Sequence, residues 1–226
     1  MNTRTRIMLP TLGLVAAAVG GLWAVAVAGS IRIKHEAVSV AVTSSIHESE
    51  EAVELTAERA LSHAAVFASD PEVVAAFARA HEGDMTVAVD PVVAEARERL
   101  RGLFAERGAS YRRLTGERRY GLHFHLPTGR SLLRTWDATQ SESDDLSRFR
   151  QSVLDVNSGV RSTVAGIEVG RAGLAIRGVV PVTDADGRRL GSVEMVADFG
   201  PLVHADEGTQ MAAYLNAEEL RTATRL

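Results

Sequence analysis

The sequence predicts an α+β protein, in which an N-terminal transmembrane helix continues into a long stalk helix and a five-stranded antiparallel sheet with flanking helices follows. Three observations lead to this fold class. Residues 7–31 carry no charge, apolar residues recur at helical spacing from 36 to 108, and short alternating segments follow from 120 to 199. Helices first and antiparallel strands afterwards are typical of the α+β layout.

The uncharged segment is long enough to span a membrane. As a helix, its 25 residues would extend about 37 Å at ~1.5 Å per residue, which exceeds the ~30 Å hydrocarbon core of a bilayer. Ala26 and Ala28 before Gly29 would also suit a signal peptidase. The apolar stretch before that site is, however, longer than the ~7 to 15 residues of a signal peptide, so we favour an uncleaved anchor.

Basic residues on the two sides of this anchor predict its orientation. Arg4 and Arg6 precede it, Arg32 and Lys34 follow it, and the weak bias favours a cytoplasmic N-terminus. No second uncharged run of this length follows. We therefore expect a single-pass protein of the inner (cytoplasmic) membrane, with the bulk of the chain extracytoplasmic, that is, periplasmic.

Composition excludes several classes of function. The chain has no cysteine, which excludes thiol catalysis, disulfides and thiolate metal sites. Beyond residue 33 there are 22 basic and 29 acidic side chains, a net charge of −7, which argues against nucleic acid as a partner. Phosphate-binding loops, nucleophile elbows and zinc-protease motifs are not found in the sequence, so we expect neither an enzyme nor a cofactor.

Helical spacing predicts three helices before the sheet. A long amphipathic stalk helix covers residues 36–67, and its small apolar stripe would allow two copies to pair as a homodimer. Asp70-Pro71 and Asp90-Pro91 each combine an N-cap with a proline at the first helical position. They start a short helix that ends near His81 and a third helix that ends near Gly108.

The second half of the chain changes to a period of two. Alternation predicts a hairpin around Pro127-Thr128-Gly129, and Asp184-Ala185-Asp186-Gly187 predicts a second hairpin turn. Ser143 is a plausible cap of an intervening helix, and Gly159 lies beyond its end. The predicted strands are 120–126, 132–136, 164–169, 174–183 and 190–199, and the predicted helix is 144–157.

Several strings in this half are specific enough to suggest a family. They are His123-Phe124-His125-Leu126-Pro127, Ser131-Leu132-Leu133-Arg134, Asp144-Asp145-Leu146, Phe149-Arg150, the stretch from Gly166 to Leu174, Arg177-Gly178 and Pro181-Val182. Together they resemble the double Cache extracytoplasmic sensor domains of bacterial chemoreceptors and sensor kinases. The likeness runs from the anchor to about Leu215 and is most specific from Gly166 to Pro181. The resemblance implies a PAS-like sheet on a long helix, with a pocket for a small polar metabolite.

The resemblance also implies how the chain is divided. A receptor of this kind continues through a second lobe, a second span and an output module, so a chain that stops at Leu226 is expected to be truncated. The expected parts are a cytoplasmic N-terminus (1–6), a transmembrane helix (7–31), the stalk and a short second helix (32–82), a helical lead-in (83–118), a Cache-like sensor lobe (119–215) and a C-terminal tail (216–226).

Period-two geometry then selects candidate ligand-binding residues on the sheet. They are Arg134, Trp136, Glu168 and Arg177, and Arg171 in the connection between two strands is a further candidate. An arginine can hold a carboxylate with two parallel hydrogen bonds, and a tryptophan face offers apolar area or binds a cation, so a carboxylate or amine ligand is expected. The alternatives are a structural ion-pair cluster of Glu168, Arg171 and Arg177, and a simple core position for Trp136.

Two histidines raise the question of a metal. His123 and His125 point the same way from one strand, a spacing that could chelate an ion. No matched third ligand lies nearby in the sequence, so structural histidines on a partly exposed sheet face are favoured and no metal is expected.

Two functions therefore stand side by side. The first is a membrane-anchored sensing domain of a chemotaxis or two-component receptor that lacks its output module. The second is a stand-alone periplasmic binding or accessory protein that does not itself signal.

Overall fold

The computed structural model describes residues 3–115, 121–170 and 173–198. The first helix, α1, is continuous from Thr3 to Ala68, as the sequence predicts for an anchor that continues into a stalk. Within the described ranges, one helical segment is long and apolar enough to cross a membrane, and it is the part of α1 from Ala17 onward. Apolar side chains such as Leu22, Trp23 and Val25 are exposed there. Residues up to Glu50 and from Glu51 onward form two compact units.

Two shorter helices follow, each started by an aspartate cap. They are α2, Pro71–Ala80, and α3, Pro91–Thr115. The Asp70 carboxylate accepts the Glu72 N–H, and Asp90 accepts two N–H groups at the start of α3 in the same way. Both predicted starts are confirmed.

The predicted end of α3 at Gly108 is wrong, since the helix continues for two more turns to Thr115. Tyr111 gives the physical reason. Its ring packs against the core and meets His63 of α1 edge-on, with 6.2 Å between the ring centroids. This tertiary contact outweighs the helix-breaking tendency of Gly108.

The second half forms a five-stranded antiparallel sheet, which confirms the predicted fold class. Its order is β2-β1-β5-β4-β3, so the last of the described strands lies in the middle. The strands are β1, Gly121–His125, β2, Ser131–Arg134, β3, Val164–Gly170, β4, Gly173–Thr183, and β5, Arg189–Asp198, with α4, Gln151–Ser158, between β2 and β3.

The predicted helix over 144–157 is wrong in its first half, because α4 begins only at Gln151. The preceding segment instead runs beside β2, where the carbonyl of Asp144 accepts the Ser131 N–H. Ser143 is not a helix cap, since its hydroxyl accepts a hydrogen bond from the buried guanidinium of Arg97 at 2.6 Å. The predicted stop at Gly159 is confirmed, since this residue ends α4 with a left-handed φ of 87°.

The two faces of the sheet have different partners. One face packs on α1, α2 and α3 around an aromatic core that contains Phe77, Phe104 and Phe124. Gly178 of β4 lies so close to α1 that a Cβ atom there would be 2.2 Å from the backbone nitrogen of Leu61. The opposite face is covered by α4 and the segment before it, and we call it the α4 face.

Candidate functional site

Strand register brings charged side chains from four strands onto the α4 face. His123 of β1 lies opposite Glu194 of β5, and Glu194 lies opposite Val179 of β4. Side chains two residues apart on a strand share a face, so Arg177 of β4 joins this set. Gly166 of β3 is the register partner of Arg177, and Glu168, two residues further along β3, therefore lies on the same face. The face therefore carries acids, bases and imidazoles side by side.

Two arginines and two glutamates form a buried ion-pair network at the centre of this face. Arg150, the residue immediately before α4, contacts Glu194 and lies 2.9 Å from Glu168. Arg177 Nη1 donates to Glu194 Oε1 at 2.8 Å, and Arg177 Nε is 3.6 Å from Glu168 Oε2. The Arg150 side chain is 4% exposed and that of Glu194 is fully buried. The formal charges of the four groups cancel.

The arginines keep the buried glutamate ionised. Burial alone would raise the pKa of Glu194, but the guanidinium groups of Arg150 and Arg177 outweigh it and hold this pKa well below its usual range. Conversely, burial alone would lower the pKa of Arg150, and the carboxylates of Glu194 and Glu168 raise it on balance. Glu194 and Arg150 are therefore both charged at neutral pH.

The two histidines are core residues of the α4 face, so the prediction of a partly exposed position is wrong. His123 is 3% exposed and His125 is fully buried. Burial lowers the pKa of His123 to about 4, against an opposing effect of Glu194. Burial and the neighbouring His123 lower the pKa of His125 well below its usual value. Both rings are therefore neutral at pH 7.

The predicted ligand-binding residues fall into two groups. Glu168 and Arg177 belong to the buried network, whereas Arg134 lies at the edge of the sheet and pairs with Asp144 at 2.8 Å. Trp136 follows the end of β2, is 52% exposed and meets the ring of His123 edge-on at 5.7 Å. A simple core position for this tryptophan is therefore wrong. Arg171 lies outside the described residues.

Two members of the network, Arg150 and Glu194, escaped the sequence prediction. Glu194 stands between Val193 and Met195 in the middle of β5, and an acid between apolar neighbours inside a strand is a usable signal for a buried partner. For Arg150 the only signal is that Phe149-Arg150 is one of the strings that resemble Cache sensor domains. Its helix was predicted to start too early, which hid its position at the face of the sheet.

A sheet that rests on a long N-terminal helix, with a polar face beneath an inserted helix, is the arrangement that the resemblance in the sequence implied. The family model described as the double sensory domain of two-component sensor kinase, dCache_3, matches residues 36–215. The chain belongs to this family, which confirms the resemblance seen in the sequence. The family is described as sensory.

A solved sensor domain has the same fold at low sequence identity. The sensor domain of the V. cholerae histidine kinase DctB matches with a TM-score of 0.52 and 11% identity, over 75% of this chain and 59% of that chain. The chain thus spans about 59% of the length of this neighbour.

Two further sensor domains match with lower scores, and no curated protein matches the chain. The E. coli DcuS sensor domain matches with a TM-score of 0.40 and 15% identity, over 65% of this chain and 90% of that chain. The ligand-binding domain of the Campylobacter jejuni chemoreceptor Tlp3, in complex with 4-methylisoleucine, matches with a TM-score of 0.43 and 13% identity. The match covers 71% of this chain and 58% of that chain.

Proposed function

We propose that the chain is a membrane-anchored extracytoplasmic sensing domain of a bacterial chemotaxis or two-component receptor, and that it binds a small carboxylate or amine on the α4 face. The observation that carries this proposal is the buried charged network. Nε of Arg150 and Nε of Arg177 are buried and donate no hydrogen bond within the described residues. Buried guanidinium donors left over in this way favour a ligand carboxylate, because an unmade hydrogen bond of a charged group is costly.

The edge of the same face supplies the accessible part of the proposed site. Arg134 is 19% exposed, and its partner Asp144 is 30% exposed. Trp136 adds an exposed aromatic surface next to His123. A ligand that binds here would meet a cation and an aromatic ring, while Arg177 and Glu168 lie three and four strands away on the same face. Arg171 remains a proposed contact from the sequence alone.

The packing of the sheet suggests how binding would reach the membrane. Gly178 leaves no space for a side chain between β4 and α1, so a displacement of β4 must move α1 or open a gap in the core. We infer that ligand binding on the α4 face shifts α1, that α1 crosses the inner membrane, and that its stalk pairs in a homodimer. The exposed apolar residues Val38, Val42 and Ile46 are available for such pairing.

A thermal-shift screen of the full chain in detergent tests ligand binding. The library consists of dicarboxylates, amino acids and amines. A ligand present at 100 times its Kd should stabilise the domain by about 2.7 kcal/mol. A screen without any stabilising compound would contradict the proposal.

A matched pair of variants locates the site. Arg134→Met removes an arginine that pairs with an aspartate at the edge of the α4 face, and Arg188→Met removes one that pairs with Asp184 at 3.0 Å in a distant turn. We expect Arg134→Met to weaken the hit at least tenfold and Arg188→Met to leave it unchanged. Equal effects of the two variants would place the ligand elsewhere.

A further inference from the structure

Three potential metal ligands meet beside the ion-pair network. His123 Nδ1 lies 3.4 Å from Glu194 Oε2, and His125 Nε2 lies 3.5 Å from the same oxygen. One ligand atom from each of the three residues lies within 4.8 Å of the others, and all three residues are buried. In the sequence the glutamate is far from the histidines, and the pairing of β1 with β5 brings it opposite His123.

Two of the three separations between these atoms suit a tetrahedral metal. Zn²⁺ binds histidine nitrogen and carboxylate oxygen at ~2.0 to 2.2 Å, so two ligand atoms at the tetrahedral angle are about 3.3 to 3.5 Å apart. The two nitrogen-to-oxygen distances of 3.4 and 3.5 Å fall at this spacing. They are long for a hydrogen bond, and the buried His125 Nε2 and Glu194 Oε2 make no hydrogen bond within the described residues.

The other nitrogen of the His123 ring is oriented by a serine. His123 Nε2 is 2.8 Å from Ser131 Oγ, which also accepts a hydrogen bond from Gln140 at 2.9 Å. Metal-binding histidines typically use their second nitrogen in this way, which fixes the ring and directs the free lone pair at the metal. His125 Nδ1 lies 3.5 Å from Ser192 Oγ, which is long for a hydrogen bond.

We propose that His123, His125 and Glu194 bind a divalent transition-metal ion of the Zn²⁺ type. Two neutral imidazoles and one carboxylate suit such an ion better than Ca²⁺ or Mg²⁺, which prefer oxygen ligands. Three protein ligands leave a fourth position open. The ion would use Oε2 of Glu194, while Arg150 and Arg177 hold Oε1.

The charges around this metal site select its fourth ligand. Arg150 and Arg177 already balance Glu168 and Glu194, so a divalent ion brings two uncompensated positive charges to a buried place. An anion such as hydroxide or a carboxylate in the open position reduces this excess. The site does not depend on the organic ligand proposed above, because the three side chains come from the protein alone.

Cobalt titration of the untagged full chain in detergent tests the metal site directly. After treatment with a chelator and desalting, we expect one Co²⁺ per chain and visible d–d absorption of the intensity typical of tetrahedral sites. Zn²⁺ should displace this signal. His125→Gln should lower Co²⁺ affinity at least tenfold, and Ser131→Ala, which removes the support of His123, should lower it by about 10- to 100-fold.

The control variant is His47→Gln. His47 is exposed on α1 among acidic residues, so it represents adventitious binding by a surface histidine. Loss of the signal in His47→Gln but not in His125→Gln would overturn the proposal, as would the absence of Co²⁺ binding by the wild-type chain.

A measurement on the wild-type protein covers the case in which a buried variant does not fold. X-ray absorption at the zinc edge of the Zn²⁺-loaded chain should show two imidazole ligands and an oxygen at ~2.0 to 2.2 Å. A spectrum with fewer than two imidazoles would refute the site.

Discussion

Replacement of Arg177 by methionine should strongly destabilise the domain, because this arginine is one of two that neutralise a fully buried glutamate. The Nη1-to-Oε1 distance is 2.8 Å, and at an effective dielectric constant of ~20 the gross Coulomb attraction is about 6 kcal/mol. Desolvation offsets part of this attraction, and breaking a buried pair typically costs ~3 to 5 kcal/mol. Arg150 still contacts Glu194 in the variant, so we expect about 3 kcal/mol.

Thermal and urea unfolding of the full chain in detergent, followed by circular dichroism, measure this loss. For a protein of this size, 3 kcal/mol corresponds to a fall in Tm of about 6 to 12 °C. Arg134→Met is the matched control, because its pair with Asp144 also has a length of 2.8 Å but is partly exposed and is expected to contribute at most ~1 kcal/mol.

Two results would refute this reasoning. One is an Arg177→Met variant that loses no more free energy of unfolding than Arg134→Met does. The other is an undiminished cost of Arg177→Met in a Glu194→Gln background, where the buried charge that it neutralises is gone. Either result would mean that the buried charges do not depend on one another.

Three further predictions concern packing, pH and assembly. Gly178→Ala should cost at least ~3 kcal/mol of unfolding free energy, because the added Cβ would lie 2.2 Å from a backbone atom of α1. Urea unfolding measures this loss, and a cost below ~1 kcal/mol would contradict the close contact. The metal-free domain should lose stability as pH falls from about 6.5 to about 4. The pKa of His123 is lowered to about 4 in the folded state, so the unfolded chain binds a proton at a higher pH than the folded chain does. The contribution of neutral His123 to stability, up to about 3 kcal/mol, is therefore fully present only above pH 6.5 and is lost as pH falls to about 4. Urea midpoints that stay constant between pH 7 and pH 5 would contradict this. Val42→Cys introduces a single thiol into a cysteine-free chain, so oxidation in membranes should give a disulfide-linked dimer if the stalks pair, while a monomer would exclude pairing at this position.

The helices and strands could largely be predicted because their signals are local. The caps at Asp70 and Asp90 bond to N–H groups two or three residues away, and alternation along a strand reflects its own two faces. The error at residues 144–150 has a physical cause, since apolar side chains at helical spacing can also be buried by an irregular segment. There the backbone pairs with β2, and Leu146 is buried without a helix.

The candidate site was predicted only in part because it depends on non-local pairing. Arg177 and Glu168 were selected through alternation on neighbouring strands. Glu194 became visible only when β5 was placed between β1 and β4, and Arg150 only when the true start of α4 was known. Alternation assigns a residue to a face of its own strand but says nothing about which strand lies beside it.

The sequence by itself determined the long first helix, the five strands and the family, because periodicity, caps and turn residues act over a few positions. Only the tertiary structure decided that His123, His125 and Glu194 meet at one point and that Arg150 and Arg177 share one carboxylate. The physical reason is burial. Charged and imidazole groups can be held in the interior only where partners from distant strands satisfy them, and the order of the strands selects those partners.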